Sequence, residues 1–576
     1  MGSTRDEDQE LRRFDQFLRD WSRRDFLRGT GGAMAMSAFL AGGMELLAGC
    51  GGGTGGSAQN AVRGGHLVEG SSSDISNINP IFSNDTASSI ISYLSYSRLV
   101  VADGAGNLRP ELAAEVPRVD PDQVTYRFEL RDGLRWSDGQ AITGADVVFT
   151  FQLMFDPRYR AVVSRFRAQL EQHLASVTSP DPRTVIFKTT SPYAPFLISF
   201  AAFVGIIPRH VFEKMQPAEI NSTELNQVPQ VVSGVMVPVR WDRGAQYLMK
   251  RNDLFFRGKA FLDSYALKVV PDAVQVANQL STHEIDVGQP DASQWDSLAR
   301  AQGLDRVAFV QPQFDYYMQN LDIARTPKAA IFAEPDVRRA LLMALDRKKV
   351  AEKVYFGQAV PADSAVSSAQ WVHTTTKTQY PFDLEKAQQL LDSAGWVRGS
   401  DGIRAKNGVR MEWEIRTNSG NKVRETLITV LADQWAQAGA HVTTRLVQFP
   451  QLVTQLSETR DFEMILLGIN EGLDPDTTQL WSSKSIGGGA LNGSGYRNPK
   501  VDALLDQATL VLERDKRKPL YAQIQQALME DLPAPLVTYP KSLWGVSKRV
   551  KNFNVAPWNV LAPRPWFKDV YVTDGK

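Results

Sequence analysis

Acid pairs, histidines and a single thiol are the side chains best able to do chemistry here. Asp474-Pro475-Asp476 sets two carboxylates on one proline turn. Such a pair serves acid–base work only when it flanks one substrate bond, which neighbours on a turn seldom do. The histidines, His66, His173, His210, His283, His373 and His441, are scattered. None pairs with another at metal-ligand spacing, and His283-Glu284 does not continue into HExxH, so they read as structural groups. There is no GxxxxGK[ST] phosphate loop and no GxSxG elbow. With every common motif missing together, the expectation is no catalytic residue, no metal site and no cofactor. The lone cysteine, Cys50, excludes an intramolecular disulfide, a thiolate metal cage and a CxxC redox pair.

Cys50 suits a different chemistry. Arg23-Arg24 and Phe26-Leu27 precede an apolar stretch from Gly29 to Leu47 that is broken by glycines and Glu45. A membrane span needs about 20 mostly apolar residues, so this stretch reads as a targeting segment. It resembles a twin-arginine export signal, and Leu47-Ala48-Gly49-Cys50 resembles a bacterial lipobox, whose cysteine takes diacylglycerol. Residues 1–50 are then a signal peptide with Cys50 as the first mature residue, and 51–61 are a flexible Gly/Ser linker. The competing reading is an amphipathic leader with a buried cysteine. The expected location is extracytoplasmic, with a lipid anchor at the outer face of the cell membrane.

Composition narrows the partners. The chain has 576 residues, with Lys plus Arg at 64 and Asp plus Glu at 64. Zero net charge gives no global field for a phosphate backbone, so no nucleic-acid partner is expected. A hydrophobic fraction of 43% over this length supports several packed domains.

The elements that must position any site read as mixed α/β. HLVEG at 66–70, VTYRFELR at 124–131 and RTVIFKTT at 183–190 predict strands, with Val124, Tyr126, Phe128 and Leu130 on one face. Thr143-Gly144-Ala145-Asp146 has capping-box spacing and opens a helix. A single helix is predicted over 337–355, with Pro335 just before it, and another over 383–396 with Gly395 as its cap. RMEWEIRT (410–417), a helix over about 422–438 and HVTTRLV (441–447) form a β-α-β pattern, which predicts a parallel pair.

LRDGLRWSDGQAITGADVVFTF (130–151) meets a known pattern. It resembles family 5 of the extracellular solute-binding proteins, the receptors of peptide and nickel ABC importers. Further stretches follow in family order: NPIFSND (79–85), LRPELAAEVP (108–117), GIIPRHVFE (205–213), VVPDAVQVANQLSTHEIDVG (269–288), VRRALLMALDR (337–347), EKAQQLLDSAGW (385–396), LDPD (473–476) and YRNPKVDALLDQA (496–508). Most are structural; Trp136 reads as a packed anchor. Where the family has Gly-x-Gly-Pro-Tyr, this chain has Ser233-Gly234-Val235-Met236-Val237-Pro238, a rebuilt turn.

The resemblance implies a two-lobed periplasmic-binding-protein-like fold with an extra domain inserted in the first lobe. Lobe I is expected at 62–98, 235–312 and 536–576, the insertion at 99–234 and lobe II at 313–535. Hinge crossings are expected near Val310–Gln313 and Pro533–Thr538. The solute, a peptide or similar small oligomer, would sit between the lobes of a monomer that delivers it to ABC permease subunits. In peptide-binding relatives an aspartate near LDPD pairs with the peptide ammonium. Alignment on LDPD leaves this chain one residue short, with Gly472 or Glu471 nearest that aspartate. Glu471 is the first candidate, against the alternative of a solvated loop acid, and Asp474 the second; Asn470, Tyr316, Tyr317 and Asn320 are further candidate contacts. Alternatives are an oligosaccharide or nickel-chelate receptor, a ligand-sensing lipoprotein and, least favoured, an extracellular hydrolase.

Overall fold

The computed structural model describes residues 62–556, 561 and 564–575; Arg23, Arg24, Cys50 and the 51–61 linker lie outside them. A twelve-stranded mixed sheet organises these residues. Its first half is built on His66–Ser71, which lies parallel to Ser264–Val269, followed outward by Gln246–Arg251 and Met236–Asp242. Its second half runs Gln313–Gln319, Met464–Asn470, Glu412–Asn418 and His441–Val447. The long strand Leu536–Ser547 belongs to both.

Residues 541–547 of that strand pair with Leu304–Val310, whereas Leu536 and Thr538 face Tyr316 and Asp315. Val310 therefore ends one ladder and Gln313 opens the next. Thr538, Tyr539 and Pro540 also face Pro361, Val360 and Ala359. Pro540 has no N–H to give a ladder, and its carbonyl accepts from the Gln311 N–H at 3.2 Å.

A separate antiparallel sheet, Arg118–Val119, Thr125–Glu129, Thr184–Thr189 and Leu174–Thr178, has its own core. Tyr126, Phe128 and Leu130 point into that core with Trp136, as period-2 alternation requires. The helix Gly144–Phe155 starts where the capping spacing placed it. The Asp146 carboxylate accepts from the Thr143 N–H at 2.8 Å and, across the fold, from the Arg209 N–H at 3.0 Å. Burial pushes the Asp146 pKa up, and these donors pull it back.

Local chemistry also explains two departures. The helix expected over 337–355 is two, Pro335–Met343 and Arg347–Lys353. Asp346 breaks it by capping the second piece, accepting from the Lys349 N–H at 3.0 Å. The buried Arg347 guanidinium then reaches the carbonyls of Ala362 and Tyr380. At the rebuilt 233–238 turn, the N–H groups of Ser233 and Gly234 both donate to the Ser95 carbonyl, at 3.1 and 2.7 Å. That carbonyl is an orphan at the end of the helix Thr86–Ser95. A side chain at 234 would collide with the Leu94 and Ser95 backbone, so only glycine fits.

The predicted β-α-β unit is present as Glu412–Asn418, Lys422–Ala438 and His441–Val447, with the strands parallel. Gly395, at φ +81°, follows the helix Leu384–Ser393 as its sequence position requires.

Candidate functional site

The β-α-β unit also determines where a crevice opens. From Glu412–Asn418 the chain crosses to His441–Val447 on one side, then returns to Met464–Asn470 on the other. Met464–Asn470 runs parallel to Glu412–Asn418, with Ile415 opposite Met464. Chains leaving the carboxyl ends of these neighbours diverge, and ligands of open α/β sheets bind at such a switch point. One lip carries Asn418, Asn421 and Arg424, and the other carries Gly468, Asn470 and Glu471.

Beside the first lip is a cavity of about 320 Å³, lined by Arg424, Asn421, Asp315 and Tyr355 from the second half and by Asp291 and Lys541 from the first. Arg424 lies in the first turn of Lys422–Ala438, where Asn421 caps the helix by accepting from its N–H at 3.1 Å. Its side chain donates to Asn418 Oδ1 at 3.0 Å, and its Nε lies 3.4 Å from Asp315 Oδ1. Asp315 also accepts from the Tyr355 hydroxyl at 2.8 Å. Burial raises the Asp315 pKa, and Arg424 opposes the shift. A side chain at 468 would run into both Arg424 and Asp315, so glycine lets the pair close.

Glu471 directly follows the carboxyl end of Met464–Asn470 and lies outside the lining of that cavity. Its N–H donates to the Pro312 carbonyl at 2.7 Å, and its Oε2 accepts from the Ser367 N–H at 2.9 Å. Gln370 holds the next residue, donating to the Gly472 carbonyl at 2.6 Å. No cation pairs with Glu471 among the described residues. Burial pushes its carboxyl up to about 8, and one backbone donor only partly offsets this.

The family model described as "Bacterial extracellular solute-binding proteins, family 5 Middle" matches residues 107–490. The chain belongs to this family. This family 5 protein is 28% identical over 505 residues to the oligopeptide-binding protein AppA of Bacillus subtilis (strain 168), covering 87% of this chain and 91% of that protein. The solved structure of B. subtilis AppA in complex with a nonapeptide matches with a TM-score of 0.74 at 26% identity, covering 89% of this chain and 99% of that one. Heme-binding protein A of Haemophilus influenzae is 26% identical over 485 residues, covering 80% of this chain and 85% of that protein. The fold is the two-lobed one of the family. No helix among the described residues is long and apolar enough to cross a membrane.

The crevice brings together only part of the expected site. Asn470 is exposed at the strand end, opposite Gln313, beside Glu471. Asp474 is corrected: both its oxygens accept from the Arg517 guanidinium at 2.7 Å, and both residues are buried. Its charge is already neutralised. Burial works to lower the Arg517 pKa, but Asp474 raises it further. Tyr316, Tyr317 and Asn320 are also corrected, because their side chains are 0%, 1% and 0% exposed. Successive residues of a strand alternate faces, so Tyr316 and Tyr317 enter the cores on opposite sides of the sheet. Asn320 is spent on the carbonyls of Arg460 and Phe462, at 2.9 and 3.1 Å. Arg424 and Asp315 were missed. The available signal was a capping asparagine with an arginine three residues on, at the strand-to-helix turn of a β-α-β unit.

Proposed function

We propose that this family 5 protein is the substrate-binding component of an ABC importer and captures peptides between its lobes. The observation that carries this reading is Glu471, a half-buried carboxylate at the crevice lip with no protein cation. A peptide ammonium beside it would favour the ionised carboxylate and complete an ion pair. At about 4 Å and an effective dielectric near 20, the pair is worth about 4 kcal/mol before desolvation reduces it. Arg424 across the crevice suits the ligand's carboxylate or carbonyl oxygens, and Asn470 suits its backbone. The names of AppA and its nonapeptide complex support the same ligand class.

The domain boundaries proposed are 62–98, 235–312 and 536–576 for lobe I, 99–234 for the insertion and 313–535 for lobe II. The monomeric receptor is exported through its Arg23-Arg24 signal, held by lipid on Cys50, and passes its ligand to membrane permease subunits. Cys50→Ala should release the protein from the membrane; continued acylation and retention would refute the anchor. Calorimetry with matched free and N-acetylated peptides tests the site. Acetylation should weaken binding to the wild type but not to Glu471→Gln, and equal affinities in the wild type would rule out ammonium pairing.

A further inference from the structure

The four-stranded segment touches the second lobe through a turn that the ligand site does not use. The Ala194 N–H donates to the Thr509 carbonyl at 2.8 Å. Thr509 lies in the last turn of the helix Pro499–Leu510, where carbonyls have no partner within the helix. The neighbouring carbonyl of Ala508 accepts from Arg517 Nε at 3.0 Å, and that of Gln507 from the Val511 N–H at 3.2 Å. Ala194 thus caps the helix end from another part of the molecule. A second contact lies nearby: Arg514 Nη1 donates to Asn107 Oδ1 at 3.4 Å, and Asp103 on the same hairpin adds attraction.

Both partners are held rigidly. Tyr193 is 4% exposed, its ring stacks on His173 at 3.8 Å, and its carbonyl accepts from the Tyr126 hydroxyl at 3.2 Å. On the opposite side, Arg517 binds the Ala508 carbonyl and grips Asp474, three residues from Glu471. Arg517 thus links the helix end to the connection that carries Glu471. The four-stranded segment is fastened to the first lobe where Ser233 and Gly234 meet Ser95.

We infer that the Tyr193–Ala194 turn is a clasp, which rests on the end of the helix Pro499–Leu510 and must part before the lobes open, and so sets how long a ligand stays. The clasp rests on the reading that ligand binds in the crevice, and it gives the inserted segment a part in retention. Ala194 acts here as a positioning residue.

Two measurements test it. In full-length Cys50→Ala protein, the pair Ala194→Cys and Thr509→Cys should cross-link readily on mild oxidation without any peptide, because atoms of the two backbones already touch. Cross-linking no faster than between two exposed cysteines placed far apart would overturn the clasp. In stopped flow, a fluorescein-labelled pool of free nonapeptides should leave Ala194→Pro roughly five- to tenfold faster than the wild type. Ala194→Gly, which keeps the N–H, should behave as the wild type. Equal release from Ala194→Pro and the wild type would also overturn the clasp. If the wild type fails to bind the pool, the peptide reading falls, and the cross-link decides the clasp alone.

Discussion

Two carboxylates three residues apart on one connection have opposite surroundings. Asp474 is buried against a bidentate arginine, and that arginine is itself fastened to a helix end. Glu471 is half-buried, receives one backbone N–H and has no cation among the described residues. The first arrangement is complete and positions the turn. The second has a single backbone donor and, without ligand, keeps its proton up to about pH 8. An acid with a full set of protein partners anchors structure, whereas a desolvated acid without a cation is poised for a ligand.

The sharpest way to break the contrast is Asp474→Asn. It leaves the Arg517 charge buried with no counter-ion, and should cost about 3–5 kcal/mol in urea unfolding. A loss below about 1 kcal/mol would remove Asp474 from its structural role. Next in size is the peptide test on Glu471→Gln. Loss of a charge-assisted bond should weaken free peptides by about 2 kcal/mol, on the order of thirtyfold, while leaving the fold intact.

The smallest effect is on stability without ligand. Folded Glu471 holds its proton up to about pH 8, whereas the ordinary value is 4.5. Between those values the folded state binds more protons than the unfolded one, so this group makes stability fall as pH rises. The loss between about pH 5 and 8 should be about 1–3 kcal/mol, allowing for partial solvent access. Glu471→Gln should remove that slope and be the more stable protein at pH 8. An identical pH profile in both proteins would mean that Glu471 is well solvated and would erase its contrast with Asp474.

Legibility in the sequence followed the range of the interaction. The Thr143–Asp146 cap, Gly395, the alternation of Tyr126, Phe128 and Leu130, and the β-α-β unit depend on neighbours within a turn or a strand. Each is present. The 337–355 segment failed because an amphipathic pattern continues through Asp346, although its side chain offers the backbone a competing cap. Tyr316 and Tyr317 were misplaced because proximity to a hinge says nothing about which core a strand residue enters.

The amino-acid order alone determined most of the elements, the Thr143 and Gly395 caps and the family pattern, since propensity, periodicity and short hydrogen bonds act between close neighbours. Tertiary structure decided which acid is free. Arg517 reaches Asp474 across 43 residues, and Arg424 meets Asp315 across 109. Charge neutralisation and desolvation depend on distance in space, and a linear sequence does not contain that distance until the sheet brings its strand ends together.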